Sequence, residues 1–521
     1  MNLLNIKSKT VEKSAMIIGF FTLISSVLGI LRNTLLASYL GSGRNIDIYY
    51  ASFRIPDFIF NIFIMGAVTA GLIPLFSKYI HTKKEEANDF INSIIHIVLF
   101  FSVVFALVLS IFAVPVVNWL FGGMDLASRM MVVKITRIIM LQPIILGLSA
   151  ILGNVLLVYD FVLSFALAPL LYNLGIIFGI VLLYPKFGLI GLGYGVVLGA
   201  IFNLLVKFVP IKLTGIRISM FSFSKIRKYA NEFASLILPR TLSVINIQIF
   251  LFVVNYFASF LQEGRLGIFN LANSFQDLPQ TIFATSIAMA AFPVLSKMYH
   301  QEDLLGMKRL YVKSLNQINF IMLLIASGLF VLKYPLVKAL LFYGRFDISG
   351  IKITSDILQI MSIGLVFAAL LLLNLDTLFA LGDMKTPLIA SFVAYGIGSV
   401  LVAIWYKQFD VFGIASAMII ANFIYFLIMM LKIISRLDLD SRFLFIKFLK
   451  NLSIAILSGI IGLLSYNYLN QLSISRFGFI CFGLVIPSLI IFGVYLLLAK
   501  LMKFEEINDF WKILFNKIKR K

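Results

Sequence analysis

Two arginines stand where an apolar chain should hold none. Arg32 lies nine residues before Gly41 and Arg54 eleven residues after Gly43, on either side of a Gly41-Ser42-Gly43 turn joining two long apolar stretches. At about 1.5 Å per helical residue both guanidinium groups reach a similar depth, roughly 12–16 Å from the turn. A charge held in hydrocarbon costs on the order of 2.5–3.5 kcal/mol, so it is kept where it faces a water-filled cavity or a partner. Guanidinium is planar and forked, and it grips phosphate through two parallel hydrogen bonds. A pair of arginines at one depth therefore points to an anionic ligand. The competing reading is structural: Asp57 follows Arg54 at i,i+3, the spacing of an intrahelical salt bridge, although that leaves Arg32 unexplained.

A second set of interior polar residues lies further along the chain. Arg240 follows Pro239, and Asp277 precedes Pro279, each about ten residues into an apolar segment. With Arg32, Arg54 and Asp57 they predict a cavity with cationic excess, furnished by Asn33, Asn61, Asn273, Ser274 and Gln276, whose amides and hydroxyl suit sugar groups. Pro279 and Pro239, next to charges, are candidate bending points.

These residues need membrane-spanning helices to position them. The 521 residues are 61% hydrophobic and 13% charged, which excludes a soluble protein and predicts an all-α polytopic membrane protein. Fourteen membrane-length segments are expected, from about 15–40 to about 477–501, among them 47–77, 232–259, 386–406 and 412–434. The formal charge of +21 collects on alternate loops, 29 basic residues on one side (the stretch Lys207 through Lys228 included) against eight on the other. This asymmetry places both termini in the cytoplasm and suits anionic membrane lipids, so no nucleic-acid partner is needed. One cysteine and three scattered histidines support no disulfide and no metal site, and no cofactor is expected. Nucleotide-binding and nucleophile motifs are lacking, so the chain is not expected to be an enzyme; the run Gly191 to Gly195 reads as a small-residue helix contact.

The chain also repeats itself. Pro74, Ser77, Lys78 and His81 recur 219 residues on as Pro293, Ser296, Lys297 and His300, and Gly122 and Asp125 recur 222 residues on as Gly344 and Asp347. An even number of spans separates the copies, so they predict two parallel six-helix lobes, 1–215 and 216–436, with a site between them near mid-membrane. A helix pair follows at 437–503, and residues 504–521 have the spacing of an amphipathic cytoplasmic tail.

The stretch Val27-Leu28-Gly29 through Arg32, then Asp47, Phe53-Arg54-Ile55-Pro56-Asp57 and Ile73-Pro74, resembles the opening hairpin of the MurJ-type lipid II flippases, in the multidrug/oligosaccharidyl-lipid/polysaccharide exporter superfamily. Phe269 through Asn273, Pro279, Ala291 through Ser296, Leu341 through Asp347 and Gly382 through Pro387 are similar to later segments of that family. The resemblance implies fourteen helices and export of the undecaprenyl-linked peptidoglycan precursor across the bacterial cytoplasmic membrane by alternating access. It also implies a groove for the lipid tail on the last two helices, and Asp47 joins Pro279 as a candidate for gating or lobe pairing. A coupling ion or the membrane potential would drive the cycle, and cell-wall synthesis proteins are possible partners. The chain departs from the family at Ser26, Asn61, Met65 and Ser274, where charged residues are common. Three other readings remain beside it: export of another polyprenyl-linked oligosaccharide, a cation-coupled drug antiporter, and a transport-dead scaffold for wall-synthesis partners. The antiporter would call for an acidic cavity.

Overall fold

The computed structural model describes residues 11–62, 72, 75–77, 79–80, 84–218, 226–471 and 476–507. Among them the chain is helical throughout, and eleven helices are long and apolar enough to cross a membrane. Fourteen were expected. The segment 47–77 lies partly outside the described residues, as do the side chains of 232–240 and 243 in the segment 232–259, whose described run Val244–Ala258 is apolar. The segments 386–406 and 412–434 lie on either side of Asp410 within Lys385–Leu437, and the backbone there is not helical (φ 55°, ψ −146°), so the pair is counted once among the eleven. The amphipathic tail expected at 504–521 falls mostly outside the described residues, as do Pro74, Lys78 and His81 of the repeat.

The chain packs as two units, one of residues 1–267 with 343–346, the other of 268–342 with 347–521. In the first, α1 (Val11–Leu40) turns at Gly41, whose φ of +76° only glycine adopts freely, into α2 (Arg44–Phe60). There follow α3 (Lys84–Ile111), α4 (Ala113–Leu120), α5 (Leu126–Ile139), α6 (Leu141–Val158), α7 (Val162–Phe178), α8 (Leu189–Thr214) and α9 (Ile226–Ala258). The second unit holds α10 (Arg265–Pro279, from Ile268 onward), α11 (Thr285–His300), α12 (Leu304–Val331), α13 (Lys333–Leu341), α14 (Ile348–Ala380), α15 (Lys385–Leu437), α16 (Ser441–Asn470) and α17 (Ile486–Leu501).

Membrane helices cannot gain hydrophobic energy by leaving lipid, so close backbone approach decides their pairing. Here α7 and α8 meet through glycines spaced four apart. A methyl group built on Gly175 would overlap the backbone of Gly199, and one on Gly179 would overlap Gly195. Gly191 presses on the backbone of Leu183 in the same way, so the Gly191 to Gly195 run is the helix contact its composition suggests.

Polar side chains fix the remaining elements. The repeated aspartates do the same work in both copies: Asp125 accepts from the Ser128 N–H at 3.1 Å to cap α5, and Asp347 accepts from the Gly350 N–H at 2.9 Å to cap α14. Hydrogen bonding to Ser128 also holds the Asp125 carboxyl below its usual range. In the second unit the buried Tyr495 hydroxyl of α17 sits 2.8 Å from the Phe320 carbonyl and 2.6 Å from Asn451 Oδ1, which joins α12, α16 and α17. Lys207, placed by sequence with the loop cations, is instead buried in α8. Its ammonium donates to Ser149 O at 2.8 Å and Ser149 Oγ at 2.7 Å on α6.

Replacing Gly179 by leucine should lower stability by about 1–3 kcal/mol or abolish folding, because the overlap is with backbone that cannot yield. Gly396→Ala, where an added Cβ meets nothing within 4 Å, should leave the melt unchanged. Thermal unfolding of the detergent-solubilised chain measures both, and equal melts for the two variants would refute the glycine contact.

Candidate functional site

In the first unit Arg32 emerges half-buried from the middle of α1. Its Nη1 donates to Asn173 Oδ1 at 3.0 Å, while Nε and Nη2 converge on Asn33 Oδ1 at 3.2 and 3.0 Å. Asn173, from α7, is itself fixed by donating to the Ser25 carbonyl at 3.1 Å. Arg54, half-buried on α2, donates from Nη2 to Gln248 Oε1 of α9 at 2.6 Å and stacks over the Phe252 ring at 5.4 Å. Its Nε is buried without a hydrogen-bond partner.

Asp57 lies within electrostatic range of both Arg54 and Arg32. Among the described residues, however, it makes no ion pair with Arg54, so the i,i+3 salt bridge is not formed. The arginine fork has turned across to α9 instead. Both guanidinium groups are thus held by neutral amides, which satisfy donors but leave the positive charge in place. Asn61 closes α2, its backbone N–H bonding to the Asp57 and Phe58 carbonyls. Arg240 falls within α9, and its side chain lies outside the described residues.

At the N-terminal end of α2 the buried Asp47 receives the Gly264 N–H at 2.6 Å and the Gly267 N–H at 2.7 Å, taking up two orphan donors at the start of α10. Gly264 has φ +87°, and an added Cβ would run into the Ser42 carbonyl. Beside it Arg44 pairs with Asp125 at 3.1 Å and with Glu263. The Arg345 N–H reaches the Ser38 carbonyl at 2.8 Å, so 343–346 is stitched to the end of α1.

In the second unit the polar residues of α10 split in purpose. Asn273 donates to Asp277 Oδ2 at 2.8 Å, and Asp277 keeps an exposed face. Ser274 spends its hydroxyl on the Asn270 carbonyl at 2.8 Å, and Gln276 is buried against the Met361 carbonyl at 3.1 Å. After Pro279 the helix widens into a π-turn at Gln280–Ala284, a local weakening that suits a bend.

Sequence reasoning placed Arg32, Asn33, Arg54 and Asp57 but missed Asn173 and Gln248. A single amide in an apolar run has no periodic signature; only its presence among hydrocarbon side chains marks it.

A family model described as Lipid II flippase MurJ matches residues 36–483. A probable lipid II flippase MurJ of Buchnera aphidicola subsp. Acyrthosiphon pisum is 25% identical over 442 residues, covering 82% of this chain and 85% of its own. The lipid II flippase MurJ of Burkholderia cenocepacia is 24% identical over 387 residues, 72% of this chain and 74% of its own. A solved lipid II flippase MurJ in an inward closed conformation has the same fold, with TM-score 0.76 and 22% identity over 97% of this chain and 100% of its own. An inward-facing multidrug resistance MATE family transporter of the MOP superfamily follows at TM-score 0.65 and 16% identity, covering 81% of this chain and 98% of its own. With a family match that spans most of its length, this multi-pass membrane protein belongs to the MurJ lipid II flippase family.

Proposed function

We propose that this chain carries lipid II from the inner to the outer leaflet of a bacterial cytoplasmic membrane by alternating access, with both termini cytoplasmic. The observation that supports it best is the pair of half-buried arginines held by amides alone. Such a pair keeps its full charge, and Arg54 Nε still lacks an acceptor. A pyrophosphate supplies acceptors and neutralises both guanidinium groups at once.

In this reading Arg32 and Arg54, joined by Arg240, bind the pyrophosphate. Asn61, Asn273 and Ser274 offer amides and a hydroxyl to the sugars, while Asp57 and Asp277 set the charge balance. The prenyl chain would follow the apolar faces of α16 and α17, where grooves of about 480 and 340 Å³ are lined by leucine, isoleucine and phenylalanine. Lobes at 1–215 and 216–436 would alternate about the cargo, with 437–503 as the lipid-tail pair. The membrane potential or an ion gradient can drive the cycle, since one charge crossing 100 mV yields about 2.3 kcal/mol. Asp47 and Pro279 would gate it, Asp47 by holding the first turn of α10 and Pro279 by allowing the bend below. Wall-synthesis proteins are candidate partners. Export of another polyprenyl-linked oligosaccharide is the second reading, favoured by the uncharged Ser26 and Ser274.

Complementation of a bacterium depleted of its own lipid II flippase tests the proposal, scored by external labelling of lipid II. The wild-type chain should restore surface lipid II, whereas Arg32→Ala and Arg54→Ala should insert normally and fall to background. Activity in both variants, or an inactive but inserted wild type, counts against it. Gating is tested separately in a Cys481→Ser background carrying Ser42→Cys. Adding Asp47→Ala removes two hydrogen bonds worth about 1 kcal/mol each. Labelling of the new thiol from outside should rise some thirtyfold at most. Unchanged labelling would remove Asp47 from the gate.

A further inference from the structure

A cavity of about 620 Å³ opens at one membrane edge of the second unit, where α12 and α16 begin and the chain leaves α17. Lys308, Arg309 and Lys313 enter it from the first three turns of α12, and Lys447 from α16. Three carboxylates share the space, and one of them is ion-paired. Glu506 pairs with Lys447 at 2.6 Å, and Asp440 caps α16 by accepting from the Phe443 N–H at 2.9 Å. Lys308 reaches the Asp438 carbonyl, a neutral acceptor that leaves its charge intact. With Lys447 matched by Glu506, the lining keeps Lys308 and the exposed Arg309 and Lys313 against Asp440 and the exposed Glu505, an excess of one positive charge.

The cavity does not end at its polar rim. Leu444 lines it and also lines a neighbouring groove of about 360 Å³, walled by Phe367, Leu427, Met430, Phe445 and Phe448. Phe445 is 61% exposed, as suits a side chain facing acyl chains. A basic mouth between helices is the usual seat of an anionic headgroup, and an apolar groove beginning at the same residue gives the acyl chain somewhere to lie.

We propose that this site binds an anionic glycerophospholipid, its phosphate among Lys308, Arg309 and Lys313 and one acyl chain along Phe445 and Phe448. The site shares no residue with the arginine site above, and we read its occupant as a resident lipid distinct from the cargo. Spanning α12, α14, α15 and α16, it would tie the start of the C-terminal helix pair to the rest of its unit.

Native mass spectrometry of the purified full chain tests this with phosphatidylglycerol and phosphatidylcholine of matched acyl chains, and with inorganic phosphate. Phosphatidylglycerol should be retained over phosphatidylcholine, and phosphate alone should not protect against thermal unfolding. The double variant Arg309→Gln/Lys313→Gln should lose about fivefold in retention per charge removed. Arg309→Lys/Lys313→Arg should restore it, which separates lost charge from a damaged fold. Phe445→Ala should weaken retention without changing the headgroup preference. Equal retention of the two lipids overturns the proposal, as does a folded double variant that holds phosphatidylglycerol like the wild type. Protection by phosphate equal to that by lipid would overturn the lipid assignment in favour of a free anion.

Discussion

A guanidinium group inside a membrane helix must find hydrogen-bond acceptors, and the choice of acceptor decides what the protein can do. A carboxylate would satisfy the donors and cancel the charge, leaving a salt bridge with little affinity for anything else. An amide satisfies donors and cancels nothing. Arg32 on Asn33 and Asn173, and Arg54 on Gln248, follow the second course. Among the described residues Asp57 supplies counter-charge near both arginines without binding Arg54. The same contacts are structural, because Asn173 belongs to α7 and Gln248 to α9. Each arginine thus draws another helix toward the hairpin that carries it.

Around that hairpin the packing divides into rigid and yielding parts. The α7 and α8 glycines allow backbone against backbone, leaving no side chain whose rotamer could absorb a shift. By contrast, α10 is held at its start by the Asp47 carboxylate and loosened after Pro279 by a π-turn, where i→i−4 bonding is interrupted.

The sequence reveals most where a residue's cost is local. A buried arginine, a glycine run or an N-cap aspartate carries its own penalty or benefit, so Arg32, Gly191 through Gly195, and the Asp125 and Asp347 pair could be recognised without neighbours. Partners across helices could not. Asn173 and Gln248 became acceptors only once α7 and α9 packed beside the hairpin. Spacing alone also misled at Arg54: i,i+3 brings Asp57 within range, but the fork chose an acceptor on another helix with an aromatic face beneath it. The spans 386–406 and 412–434 meet at Asp410, where the backbone leaves the helical region (φ 55°, ψ −146°) between them. Hydropathy likewise assigned Lys207 to a loop, for it registers a charge near a helix end without knowing that Ser149 will receive it.

Lys207 sharpens the distinction between a buried cation that serves the fold and one that serves a ligand. Its ammonium has three N–H donors, and Ser149 O, Ser149 Oγ and Asn203 Oδ1 lie 2.8, 2.7 and 3.4 Å away, so every donor has an acceptor. Gly153 keeps the pocket open, since a methyl group there would come within 3.2 Å of the ammonium. Nothing is left for a ligand to bind. Arg32 and Arg54, half-buried in apolar helices, are also held by neutral oxygens, but Arg54 retains an unmet donor at Nε. An unmet buried donor costs about 1–3 kcal/mol, and a charged one more, so a fold retains it only where something else completes it. Completeness of hydrogen bonding, rather than burial or charge, separates Lys207 from Arg54, whose Nε is where an added acceptor would gain a bond.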